Sequence, residues 1–154
     1  MDYYGETARS YNELHGQEQT EKAQLMLSKL RPKGLLLDVG AGTGIATKVF
    51  EQGCECIALE PSIEMLKQYS GLKVVGKAEQ LPFKDKAFDC VVSLTALHHA
   101  NLVQAKQELL RVTTSGASVG ISFFKRASNF KQAGQVFKEF DQVETKFDVL
   151  FLRK

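Results

Sequence analysis

The sequence predicts an open, mostly parallel seven-stranded α/β sheet that ends in an antiparallel hairpin. Three observations predict it. Short apolar runs alternate with segments of helical period along most of the 154 residues, the pattern of right-handed strand-helix-strand crossovers. A glycine-rich turn follows the first apolar run, Leu35 to Val39. The tail from Gln142 to Arg153 reads as two short strands turning near Lys146 to Asp148, which sets its last strand against the direction of the others.

The elements follow in order. From Gln17 to Leu30 the residues Ala23, Met26, Leu27 and Leu30 recur at helical spacing with charges between them. Arg31-Pro32-Lys33-Gly34 ends that helix, because proline disfavours helix in the residue before it. Leu35-Leu36-Leu37-Asp38-Val39 is an apolar run bounded by glycines, suited to a strand buried on both faces. After the turn Gly40 to Gly44, Ile45 to Glu51 reads as helix, Cys54 to Leu59 as strand and Ser62 to Tyr69 as helix. Lys73 to Val75 is a short strand, Phe88 to Leu94 a longer one, and Leu102 to Val112 a helix. Ala117 to Phe124 is strand and Phe130 to Phe140 helix, ahead of the hairpin.

Length and composition narrow the class. At 154 residues the chain has the size of one domain and buries about two thirds of its unfolded surface. With 44% hydrophobic and 25% charged residues it is neither a disordered segment nor a disulfide scaffold. No apolar run approaches the roughly 18 residues of a membrane helix. The start, Met1-Asp2-Tyr3-Tyr4-Gly5-Glu6, lacks the basic and apolar stretches of a signal peptide, so a cytoplasmic location is expected. The three cysteines are odd in number and form no CxxC, and His15, His98 and His99 lie far from Cys54 and Cys56 in sequence. No metal site is therefore expected. A net charge of +2 does not argue for nucleic acid, although Lys125 to Lys154 holds seven Lys/Arg against four Asp/Glu.

In sheets of this kind ligands bind outside the strand ends, first of all at the first strand-to-helix turn. Here that turn is Gly40-Ala41-Gly42-Thr43-Gly44, with Asp38 two residues ahead of it. Its spacing is G-x-G-x-G, not the G-x-G-x-x-G of dinucleotide sites. Asp38 would repel a phosphate, yet it suits an ammonium group or could brace the turn through backbone N–H groups. Glu60 closes the second strand, twenty residues after Gly40, where a carboxylate can accept from both hydroxyls of a ribose.

Leu37 to Gly44 resembles the first motif of the class I S-adenosylmethionine-dependent methyltransferases. Glu60 matches their ribose-binding acid, and Pro61-Ser62 with Met65-Leu66 resembles the segment after it. Gly76 to Phe83 with Phe88-Asp89, Ser93 to His99, and Glu108 to Val112 through Gly116 resemble later motifs in the right order. The resemblance runs from about Tyr11 to the C-terminus and is closest to the group that includes the ubiquinone and menaquinone C-methyltransferases.

The resemblance implies a Rossmann-like three-layer sandwich, with residues 1–154 as one S-adenosylmethionine-binding domain and residues 1–33 as an N-terminal arm and helix that could cover the site. It implies a cofactor, S-adenosylmethionine, and a product, S-adenosylhomocysteine. Asp38 with Gly40, Ala41 and Gly42 would hold the methionine part and Glu60 the ribose. Pro61 and Met65 would flank the adenine, Ala78 and Glu79 would border its edge, Tyr11 would cover the cofactor, and Ser93 would complete the set. Many relatives carry an aspartate where this chain has Lys77, a residue with donors and no acceptor. No catalytic residue is assigned, and His98 and His99 are the only base candidates near the strand end. The expected acceptor is a small molecule. The alternatives are a cofactor-binding subunit or sensor that needs a protein partner or a second copy, and an RNA or protein methyltransferase. Nucleic acid and membrane are not the expected partners.

Overall fold

The computed structural model describes the backbone of residues 3–154 and the side chains from residue 13 onward. At its centre β1 (Leu35–Val39) pairs in parallel with β2 (Glu55–Glu60) on one side and β4 (Phe88–Leu94) on the other. A strand enclosed this way has no solvent face, and Leu36, Leu37 and Val39 are buried. The remaining strands are β3 (Leu72–Val75), β5 (Thr113–Phe124), β6 (Asp141–Glu144) and β7 (Asp148–Arg153). The sheet order is β3-β2-β1-β4-β5-β7-β6. As the tail pattern predicts, β6 and β7 form a hairpin, and β7 runs antiparallel to β5. The hairpin folds back so that apolar β7 lies inside the sheet and polar β6 forms its edge.

Successive residues of β1 serve opposite faces. Leu36 packs with Cys56, Cys90 and Val92 under α1 (Tyr3–Leu30) and α2 (Ile45–Phe50). Leu37 and Val39 pack with Val91, Ile121 and Phe151 under α4 (Leu102–Val112), while Ala133 of α5 (Phe130–Val136) joins the same core. The short α3 (Ile63–Leu66) lies against β2, with Leu66 and Tyr69 on Ala58. α5 stops four residues before the predicted end. Phe137 leaves helical geometry as its ring and that of Phe140 turn into the core beside Phe151.

α1 is longer than its apolar repeat, which begins only near Ala23. Its backbone is helical from Tyr3, a stretch without proline. Among the described residues of α1, the buried stripe Ala23, Met26 and Leu30 lies in the C-terminal half. That stripe reaches the sheet at Gly120 of β5, where an added Cβ would lie 2.7 Å from both Leu30 Cδ1 and Met26 Sδ. The polar half is therefore carried outward, past the C-terminal ends of the strands.

One ion pair fixes this overhang. Lys22 Nζ lies 2.6 Å from Asp148 Oδ2, and Asp148 is fully buried. Lys22 also donates to Thr95 Oγ1 at 2.8 Å. Thr95 follows β4 with a left-handed φ of 50°. Its backbone N–H donates to the Ser122 side chain at 2.9 Å. The cluster joins α1, β4, β5 and β7 at one edge of the sheet. Replacing Lys22 by Met would leave the Asp148 carboxylate buried without its cation. We expect Lys22→Met to lose about 3 kcal/mol in urea unfolding, the scale for breaking a buried pair. The double variant Lys22→Met/Asp148→Leu should recover most of that loss. A single variant within about 0.5 kcal/mol of the parent, the range of ordinary surface substitutions, would show that the pair does not hold α1.

Candidate active site

The strand order reverses between β1 and β4, the point at which open α/β sheets bind ligands. Two adjoining cavities open there, of about 470 and about 130 Å³, and they share Gly40, Pro61, Ala96 and His99 as walls.

The glycine turn is shaped from below and from the side. Gly40 has φ 76°, and a Cβ on it would fall 2.3 Å from the Ala96 Cβ, so only glycine lets the β1 turn pass the β4 turn. The N–H groups of Gly40 and Ala41 both donate to Leu59 O, at 2.8 and 2.9 Å. Gly42 N donates to Glu60 Oε1 at 3.0 Å, and Ser62 N donates to Glu60 Oε2 at 2.7 Å. Glu60, not Asp38, is thus the carboxylate that braces the turn. Parallel pairing aligns Val39 with Leu59 and delivers the end of β2 beside the turn.

Asp38 sits elsewhere. The period of two along β1 sends its side chain to the Leu36 face, under α2, where Thr47 Oγ1 donates to Oδ2 at 2.7 Å. Asp38 is buried and lines neither cavity. Burial pushes its pKa up to about 6, against the lowering effect of the Thr47 hydroxyl. Ser93 also lines neither cavity. It is buried with its hydroxyl donating to Val39 O at 2.8 Å, a strap between β4 and β1.

The other candidates converge. Ala41, Gly42, Glu60 and Met65 line the larger cavity, and Ala78 and Glu79 line the smaller one with Lys77. Gly40 and Pro61 face both. The loop bearing Ala78 and Glu79 is tied to α4. Leu81 N donates to Glu108 Oε1 at 2.8 Å, and Arg111 donates to Leu81 O and Phe83 O. Asn101 N donates to Glu79 Oε2 at 3.2 Å. The Tyr11 side chain lies outside the described residues.

Sequence reading missed the part of the larger cavity's far wall that α1 supplies, while His98 and His99 were already candidates. His15 and Gln19 come from α1, Thr95 and Ala96 from the end of β4, and His98 and His99 from the following 3₁₀ turn, Leu97–His99. All three histidines of the chain therefore face one cavity. Burial lowers the pKa of His15 and of His98, helped by Lys22 in the first case and by His99 in the second. The signal for His15 and Gln19 was present in the sequence. Counting back from Ala23 by four gives Gln19, then His15.

These contacts decide what the turn can hold. The N–H groups of Gly40, Ala41 and Gly42 already donate within the protein and are not available to a ligand. The turn offers carbonyl oxygens, with the Glu60 carboxylate beside them. That acceptor set suits a ligand with an ammonium group and a diol, and S-adenosylmethionine carries both.

Comparisons with known proteins agree with the geometry. A family profile described as a methyltransferase domain matches residues 37–121. An uncharacterised protein of Methanocaldococcus jannaschii is 33% identical over 118 residues, covering 72% of this chain and 46% of that protein. A demethylmenaquinone methyltransferase of Mycobacterium sp. is 32% identical over 114 residues, covering 71% of this chain and 49% of the enzyme. The chain thus spans less than half the length of these curated relatives. Among solved structures, a putative methyltransferase of Haloferax volcanii superposes with a TM-score of 0.74, covering 89% of this chain and 75% of that one at 17% identity.

The position of Asp38 makes a prediction of stability against pH. A carboxyl whose pKa is raised by folding stabilises the fold below its usual 3.8 and loses that contribution as pH climbs through about 6. The loss is on the order of 3 kcal/mol for a shift of two units. Asp38→Asn cannot ionise, so its urea midpoint should exceed that of the parent at pH 7, with the difference vanishing near pH 4. A difference of the same size at both pH values would contradict this account of Asp38.

Proposed function

The chain belongs to the methyltransferase domain family of class I S-adenosylmethionine-dependent proteins, and on that premise we propose that it transfers a methyl group to a small-molecule acceptor at the β1/β4 cavity. The observation that carries the proposal is the glycine turn whose first three amides are already taken, beside Glu60. When bound, S-adenosylmethionine supplies a methyl on a positively charged sulfur that departs as a neutral thioether. The protein then has mainly to align the acceptor, and orientation alone contributes on the order of 7–11 kcal/mol.

In this reading Glu60 accepts from the ribose hydroxyls with the lone pairs that Gly42 and Ser62 leave open. The carbonyls of Gly40 to Gly42 face the methionine part. Pro61 and Met65 flank the adenine, and Ala78 and Glu79 border it. Asp38 and Ser93 act beneath the site, through Thr47 and the Val39 carbonyl. Residues 1–154 act as one domain, with residues 1–33 as the covering arm. The expected setting is the cytoplasm, and no helix among the described residues is long and apolar enough to cross a membrane. The Haloferax protein was solved with its Trm112 activator, which supports a protein partner as part of the proposal.

Calorimetry with S-adenosylmethionine and S-adenosylhomocysteine tests the reading, followed by labelled-methyl transfer to fractions of a cell extract. Both compounds should bind, and labelled product should appear. Glu60→Ala removes charged hydrogen bonds worth about 1.5–3 kcal/mol each. We expect it to weaken S-adenosylhomocysteine about 100-fold, equivalent to roughly 2.8 kcal/mol. Adenosine should weaken in parallel and methionine much less. Absence of binding by the parent chain at millimolar ligand would sink the reading.

A further inference from the structure

Sulfur is unevenly placed in this chain. It has three cysteines and three methionines, of which Met1 lies outside the described residues. Met26 is fully buried under α1, and Cys56 and Cys90 are buried in the same cluster. Cys54 is half-buried. Burial pushes the Cys56 thiol up to about 12 and raises Cys54 and Cys90 as well. All three therefore stay thiols at neutral pH, whereas the thiolate is the form that oxidants attack. Met65 differs from these residues. It is 43% exposed, and it lines the larger cavity.

The fold fixes where its sulfur lies. Ser62 caps α3 by accepting from Met65 N at 3.3 Å, and the Ser62 N–H is itself held by Glu60. From there the thioether reaches the glycine turn. A Cβ added to Gly42 would lie 3.2 Å from Met65 Cε. Met65 thus bridges the two segments assigned to the cofactor, the turn after β1 and the end of β2. A thioether is apolar and polarisable, suited to the face of a flat base. A sulfoxide is polar, and its oxygen can only accept hydrogen bonds. The amides of Gly42 and Ser62 are already given to Glu60, so neither is open to that oxygen. The Glu60 carboxylate lines the same cavity and would repel it.

We propose that Met65 is a site of reversible oxidation, and that its sulfoxide shuts the cofactor out until it is reduced. The proposal rests on the methyl-transfer reading, in which Met65 flanks the adenine. The oxidant is a peroxide. A lone pair of the Met65 sulfur attacks one peroxide oxygen, an S–O bond forms and the O–O bond breaks. Sulfur loses two electrons, the peroxide gains them, and its second oxygen leaves as water with both protons. Thiol-driven methionine sulfoxide reductases run the reverse step, taking the oxygen off as water while two thiols become a disulfide. Bound cofactor covers the sulfur, so the empty protein is the form that is oxidised.

Graded hydrogen peroxide is added to the full chain, with and without saturating S-adenosylhomocysteine, and peptide mass spectrometry locates each oxygen gained. Met65 should be oxidised ahead of Met26 and the cysteines, and the ligand should slow it about tenfold, as the shielded fraction requires. Calorimetry on the oxidised protein should show S-adenosylhomocysteine weakened about tenfold, with the circular dichroism spectrum unchanged. Methionine sulfoxide reductases A and B with dithiothreitol should restore the affinity. Met65→Leu, whatever its own starting affinity, should change less than about twofold on the same peroxide treatment. Equal oxidation of Met26 or a cysteine, no protection by the ligand, a Met65 sulfoxide with unchanged affinity, loss of affinity through unfolding, failure of the reductases to restore it, or an equal loss in Met65→Leu would each overturn the proposal alone. Absence of S-adenosylhomocysteine binding before any peroxide is added would sink the methyl-transfer reading and this proposal with it.

Discussion

The site depends on the way the end of β2 is fastened to the turn after β1. The Leu59 carbonyl takes the amides of Gly40 and Ala41, and the two oxygens of Glu60 take those of Gly42 and Ser62. Four backbone donors at the mouth of the sheet are thereby used up. The consequence is chemical as much as mechanical. A turn with free amides attracts anions, whereas the first three amides of this one are already taken. The central position of β1 makes the arrangement rigid, since β2 and β4 hold it from both sides.

The second constraint is the reach of α1. A helix that packs through Ala23, Met26 and Leu30 and continues toward the N-terminus must pass the strand ends, because its axis leaves the sheet there. The notch at Gly120 sets its depth, and the Lys22–Asp148 pair fixes its lateral position at the sheet edge. His15 and Gln19 then lie over the cavity by helical spacing alone. Packing energy in one half of the helix is converted into the position of functional groups in the other.

Most of the sheet was legible in the sequence. Apolar runs such as Leu35 to Val39 and Phe88 to Leu94 announce buried strands, and the place of Glu60 at the end of such a run marks it as a site residue. Three features were not legible, each for a physical reason. The N-terminal half of α1 has no apolar repeat in the sequence, so periodicity does not record its helix. Asp38 was expected at the ligand, but strand alternation turns it under α2, and register with Thr47 is a property of the packed pair. Thr95 and Asp148 meet Lys22 only because β4, β5 and β7 are neighbours in space, and no local pattern records that.

Three acidic side chains near this edge show how burial is made tolerable in different ways. Glu60 is matched by two backbone amides, and Asp148 by an ammonium group. Asp38 has a single neutral hydroxyl, and burial drives its carboxyl up to about 6. The ligand-free fold thus holds its least compensated negative charge directly beneath the turn assigned to a positively charged group. A cation above that turn would favour the ionised form of Asp38 and relieve part of the cost. The burial that makes Asp38 a poor contributor to stability at neutral pH also places its charge where a cation above the turn would act on it.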